Sequence, residues 1–230
     1  MLPLVNCLRC RKAKYILQIL YGYRGAEYTY TEIKNEYGRL VENEKAAVRR
    51  RHPEYTVIDI KIEKVFRALF TRKGVKPKKA TVPEVCEVFR CFSTKYIKLY
   101  DGVTELLDTI KANGGCIYLL SNAQRTFTEN ELHMLGLTPY FDGICISSDE
   151  ECSKPDSHYF QILFDRYGLK KEESVMVGND YLSDIGGAAD FGIDSVYIHQ
   201  SISPEIKGEL RSNFTVMDGD VHKITQYFFA

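Results

Sequence analysis

The chain contains no tryptophan and no excess of either charge: 31 lysines and arginines stand against 31 aspartates and glutamates in 230 residues. That balance argues against nucleic acid or an acidic membrane surface as the main partner. No stretch approaches the roughly 20 consecutive apolar residues that a bilayer-spanning helix requires. The opening Met1-Leu2-Pro3-Leu4-Val5-Asn6-Cys7 has no basic residue ahead of its short apolar run, which meets Arg9, Arg11 and Lys12; this is not the pattern of a signal sequence. Cysteines at 7, 10, 86, 91, 116, 145 and 152 are odd in number and irregularly spaced. A disulfide framework is therefore not expected, and the chain reads as cytoplasmic. Cys7 and Cys10 form a lone CxxC, without the second pair that a four-ligand zinc site needs. Internal repeats and low-complexity segments are lacking too. What is present is the composition of an ordinary globular protein, 44% hydrophobic and 27% charged, long enough for one full domain and a smaller one.

Two rhythms divide the chain, and we place the boundary at 95/96. Residues 1–95 read as helix after helix. Thr31 is placed to cap a helix carrying Ile33, Tyr37, Leu40, Val41 and Val48, which His52-Pro53 ends. Asp59 is placed to cap the next, with the apolar stripe Ile62, Val65, Phe66, Leu69 and Phe70 packing between helices. A further helix is expected over Val82–Tyr96. From 96 to 230, strands and helices alternate. Apolar runs at Cys116–Leu120, Gly143–Ser147, Ser174–Val177 and Ser195–Ile198 read as buried strands. Helices are expected between them, one opened by Thr128-Glu129-Asn130-Glu131 as a capping box and one over Ser183–Phe191. Strands separated by helices imply parallel pairing with right-handed crossovers, hence an open α/β sheet.

In such a sheet the ligand site lies beyond the carboxyl ends of the strands. The first of these strands delivers Ser121-Asn122 there, the second leads through Ser147-Ser148 to Lys154-Pro155, and the third delivers Gly178-Asn179-Asp180 with Asp184 following. A hydroxyl and backbone N–H groups suit phosphoryl oxygens, an ammonium offsets their charge, and carboxylates suit Mg²⁺. Each signal alone has a plainer reading. A strand-end serine is commonly a turn former, Asp184 can cap a helix, and Asp180 can be a solvated turn residue. Their order on successive strand ends is what favours a phosphoryl site.

The motifs Leu119-Leu120-Ser121-Asn122, Lys154-Pro155-Asp156 and Val175-Met176-Val177-Gly178-Asn179-Asp180-Tyr181-Leu182-Ser183-Asp184 resemble the second, third and fourth motifs of the haloacid dehalogenase (HAD) superfamily. Leu99-Tyr100-Asp101-Gly102-Val103 is similar to that family's return from its cap. The resemblance is strong over about 96–199 and looser over 13–95. It implies an α/β fold with a HAD-like Rossmannoid parallel sheet core and a helical cap domain. It also implies a Mg²⁺-dependent phosphatase for small phosphate monoesters. Ser121 and Lys154 would be catalytic and bind phosphate together with Asn122, while Asp180 and Asp184, with Asn179 beside them, would hold the metal. Dehalogenation stays open on these motifs, and oligomeric state is not legible.

One part of the family pattern has no counterpart. Family members begin with an apolar strand ending in a nucleophilic aspartate, yet here the first acid is Glu27 and the first aspartate Asp59. Val57-Ile58-Asp59 imitates such an ending, but Lys61 stands where the second acid belongs. The expectation is a chain shortened at its N-terminus, lacking the first core strand, with weakened Mg²⁺ binding and hydrolysis near background. A pseudoenzyme that binds a phosphorylated ligand without turnover is the alternative. A receiver-type signalling domain is excluded because its acids precede the lysine. In a full-length form, Lys154→Ala is expected to abolish turnover with little loss of stability, and substrate choice is expected to lie around residues 15–75. There, tyrosines 15, 21, 23, 28, 30 and 37 serve mainly as core.

Overall fold

The computed structural model describes residues 11–94 and 97–229, so the Cys7–Cys10 pair lies outside the described residues. Two compact units are present, each with its own core.

The first unit comprises the described part of Met1–Ile97 together with Asn122–Met134 and Ile146–Glu151. It is built from helices α1 (Arg11–Gly22), α2 (Tyr30–Arg51), α3 (Ile62–Arg72) and α4 (Thr81–Ser93), with α6 (Arg125–Met134) and the short α7 (Ser147–Glu150). Thr29, rather than Thr31, caps α2: its hydroxyl accepts the Glu32 N–H and the Glu32 carboxylate accepts the Thr29 N–H, a complete capping box. The expected apolar stripe of α3 is buried, with Phe66, Leu69 and Phe70 fully inaccessible. Asp59 caps no helix, because α3 begins at Ile62 with Lys61, two residues beyond Asp59, at its N-cap. Of the tyrosines, Tyr21 and Tyr28 are buried and donate their hydroxyls to Phe66 O and Leu69 O at 2.7 and 2.6 Å. Such a partner is what lets a phenol enter a core. Tyr37 packs against the same core, Tyr15 stacks on Tyr30 at 4.7 Å, and Tyr23 is exposed. Thr128 lies inside α6 with its hydroxyl bonded back to Gln124 O, so the box read at Thr128–Glu131 does not open that helix.

The second unit takes Lys98–Ser121, Leu135–Cys145 and the described part of Cys152–Ala230. Its elements in chain order are α5 (Val103–Ala112), β1 (Tyr118–Ser121), β2 (Gly143–Ile146), α8 (Ser157–Tyr167), β3 (Val175–Gly178), α9 (Gly187–Phe191), β4 (Asp194–Ile198), β5 (Phe214–Val216) and α10 (His222–Phe229). All four expected strands form within one or two residues of their predicted bounds; β5 and α10 were not anticipated. The segment expected as a helix from Ser183 starts instead as a π-helical turn over Tyr181–Gly186. The pairing of β3 with β4 and of β4 with β5 is parallel, with Val177 opposite Val196 and Tyr197 opposite Thr215.

Among the described residues β1 pairs with β2, and β3, β4 and β5 form a separate sheet. Tyr118 and Leu120 of β1 and Val175 and Met176 of β3 line one groove of about 540 Å³. Val175 and Val177 remain substantially exposed, unlike the core strand β4, where Val196 and Tyr197 are fully inaccessible.

Candidate functional site

Ser121 closes β1, and the carbonyls of Ser121 and Cys145 both lie 2.9 Å from the Tyr159 hydroxyl. One buried phenol on α8 thus ties the ends of β1 and β2 together. Tyr159 escaped sequence reasoning because, in an amphipathic helix, it looked like any core aromatic. Lys154 is 6% exposed. Its ammonium donates to Leu120 O at 2.6 Å and faces Asp184 Oδ1 at 2.7 Å. The structure therefore brings the strand end of β1, Lys154 and Asp184 together, as their order on the strands predicted.

Asp184 reaches back under the end of β3. Its Oδ2 accepts the backbone N–H groups of Asn179 and Asp180, each at 3.0 Å. Gly178 makes this possible: a Cβ there would lie 2.4 Å from Asp184 Cβ and 2.5 Å from its Oδ2. The glycine thus admits the carboxylate rather than a positive-φ turn. Asp180 Oδ1 accepts the N–H groups of Leu182 and Ser183 at 2.9 and 3.0 Å and so caps the π-helical turn. The cap that the plain reading gave to Asp184 is supplied instead by Asp180, which that reading had as a solvated turn residue. The side-chain amide of Asn179 donates to Ser203 Oγ at 3.3 Å.

Among the described residues no three of His, Cys, Asp and Glu gather as a ready-made metal cluster. The donor chemistry at Asp180 and Asp184 nevertheless suits Mg²⁺. A carboxylate offers about four acceptor positions, hydrogen bonds use three on Asp184 and two on Asp180, and Mg²⁺ commonly uses one or two protein carboxylates plus water and phosphate. Lys154 is buried against a carboxylate that is itself buried, which argues for a stability cost on its loss.

A model of the haloacid dehalogenase-like hydrolases matches residues 29–198. The chain belongs to that family. A stretch of 143 residues is 29% identical to the phosphoserine phosphatase of Thermus thermophilus, covering 62% of this chain and 56% of that enzyme. Another of 125 residues is 27% identical to the glyceraldehyde 3-phosphate phosphatase of Methanothermobacter thermautotrophicus, covering 53% and 55% respectively. The chain thus spans about half the length of the curated relatives it matches. A magnesium-bound crystal form of the HAD-hydrolase YfnB of Bacillus subtilis superposes with a TM-score of 0.55, covering 95% of this chain and 92% of that one. At 20% identity this likeness concerns the HAD fold alone.

The helical unit of this HAD chain holds a second polar cluster. Asp59 Oδ2 accepts the Ser147 hydroxyl at 2.6 Å, and Oδ1 accepts the Ile60 N–H at 2.7 Å and Gln124 Nε2 at 3.2 Å. Burial holds the Asp59 carboxyl above the usual carboxylate range, against the opposing pull of these hydrogen bonds. Nearby, Glu151 binds Arg51 through both carboxylate oxygens and Lys64 at 3.1 Å. Burial would raise the Glu151 pKa, but these two cations outweigh it and hold it below the usual range. The thiols of Cys86 and Cys152 are pushed up to about 12 by burial, which suits inert core cysteines.

Proposed function

We propose that the chain carries the phosphoryl-binding site of a Mg²⁺-dependent HAD phosphatase acting on small phosphate monoesters. Residues 96–230 serve as its core, and residues 1–95 act as a cap that selects the substrate around 15–75. The observation that carries this reading is Lys154, buried between the end of β1 and Asp184. An ammonium so placed would offset phosphoryl charge at the strand end, where Ser121 would supply its hydroxyl and Asn122 follows. Asp180 and Asp184, with Asn179 beside them, would hold Mg²⁺, which when bound neutralises the phosphoryl oxygens. Asp184 also aims the Lys154 ammonium, and Gly178 leaves room for its carboxylate.

No carboxylate of these 230 residues is assigned to attack on phosphorus: Asp180 and Asp184 are engaged as described, and Asp59 is engaged with Ser147 and Gln124. Binding of the ester is therefore expected to exceed turnover, and hydrolysis by this chain to stay near background.

Calorimetric titration with a phosphate monoester and Mg²⁺, beside an assay for released phosphate, tests the reading. Saturable heat that Ser121→Ala weakens is the expected result. A folded sample that yields no heat with any of several monoesters would sink it.

A further inference from the structure

We infer that Asp59 is a positioning residue for the turn Asn122–Gln124, which follows β1 and begins with the Asn122 given a phosphate-binding role under the proposed function. The inference rests on that reading for its purpose, though not for its geometry.

The turn leaves the strand with one exposed side chain, Asn122, and then enters a buried network. The Ala123 N–H donates to Ser147 Oγ at 2.8 Å, and the Ser148 N–H donates to Ala123 O at 3.2 Å. The Arg125 N–H donates to Ser148 Oγ at 3.1 Å. Gln124 is 6% exposed and has both halves of its amide used. Its Oε1 accepts the Ile62 N–H at 2.9 Å, while Nε2 donates to Ile60 O at 2.9 Å and to Asp59 Oδ1 at 3.2 Å. Ser147 is fully inaccessible and sends its hydroxyl to Asp59 Oδ2 at 2.6 Å. Asp59 therefore accepts from both residues that clamp the turn, Ser147 on one side and Gln124 on the other.

A carboxylate does this because it only accepts. With Asp59 taking its proton, Ser147 Oγ presents lone pairs to the Ala123 N–H. Remove the carboxylate, and the Ser147 hydroxyl is free to turn its proton to Ala123 O, 3.1 Å away, while Gln124 Nε2 loses one acceptor. An asparagine at position 59 would repair most of this. Its Oδ1 would serve Ile60 and Gln124, and its NH₂ would donate to Ser147 Oγ, whose own proton would then go to Ala123 O. Alanine offers neither contact. Outer-shell partners of this kind typically contribute about 10- to 100-fold to affinity or activity.

The test compares Asp59→Ala, Asp59→Asn and Ser147→Ala with the parent chain by amide hydrogen exchange and by calorimetry with inorganic phosphate and Mg²⁺. For Asp59→Ala, exchange at Ala123 and Arg125 should rise at least about 10-fold, while core amides of α3 such as Leu69 keep their protection. Phosphate affinity should fall about 10- to 100-fold, and Asp59→Asn should restore both readouts to within a few-fold. If the alanine variant unfolds globally, Ser147→Ala must show the same local pattern. Unchanged exchange at Ala123 in the variants overturns the inference, as does raised exchange with unaltered phosphate affinity. A parent chain that binds no phosphate defeats the functional reading instead, and exchange alone then decides whether Asp59 holds the turn.

Discussion

Replacing Lys154 by methionine removes the charge while leaving most of the buried stem filled. Two contacts vanish: the ion pair to Asp184 at 2.7 Å and the hydrogen bond to Leu120 O at 2.6 Å. Asp184, with its side chain about one-tenth exposed, then keeps only part of its compensation, the N–H groups of Asn179 and Asp180. Stranding one partner of a buried pair costs about 3–5 kcal/mol. The two remaining amides place this case at the lower end, about 3 kcal/mol, or roughly two orders of magnitude in the folding equilibrium. An asparagine at position 184 can still accept from both amides, so Lys154→Met combined with Asp184→Asn should recover most of the loss. The assay is urea unfolding followed by far-ultraviolet circular dichroism and tyrosine fluorescence, the chain having no tryptophan. Two probes are needed because two compact units need not unfold together. A single variant within about 1 kcal/mol of the parent, or a double variant no better than the single, would refute the buried-pair argument.

Gly178→Ala should destabilise the chain by about 1–3 kcal/mol, the usual scale of overpacking, because Asp184 is fastened at both oxygens and cannot yield to the new methyl. Phosphate affinity should fall with it, and a variant matching the parent in both unfolding and calorimetry would exclude the crowding. Glu151 makes stability pH-dependent. Its pKa is held below the ordinary value by Arg51 and Lys64, so its contribution is present above the ordinary glutamate range and is lost as pH falls through the folded value. Glu151→Gln should therefore lower the melting temperature at neutral pH and converge with the parent as acidification takes the carboxylate through that folded value. A gap that widens on acidification would contradict the assigned sign.

The helical half and the alternating half were legible because each rests on local periodicity. The stripe Ile62–Phe70 has one apolar face, and runs such as Val175–Val177 lie between turn signals. The approach of Lys154 to the end of β1 and to Asp184 was legible because strand ends in an α/β fold deliver their polar residues to one side. Cap positions were less secure. Thr29 and Thr31, or Asp59 and Lys61, differ by two residues, a shift that local propensity barely separates. Asp59 shows why: an aspartate before a helical stripe looks like a cap, and only the packed chain reveals Ser147, 88 positions away, as its partner.

By itself the sequence determined which residues alternate, which strand ends carry polar groups, and that the chain resembles the HAD family, since short-range pattern and motif order reside in the chain. Only the tertiary structure decided that Lys154 is buried against Asp184, that Gly178 is there to admit a carboxylate, and that the strands among the described residues divide into two sheets. Burial and pairing are set by residues distant in sequence, and no local pattern encodes how they meet.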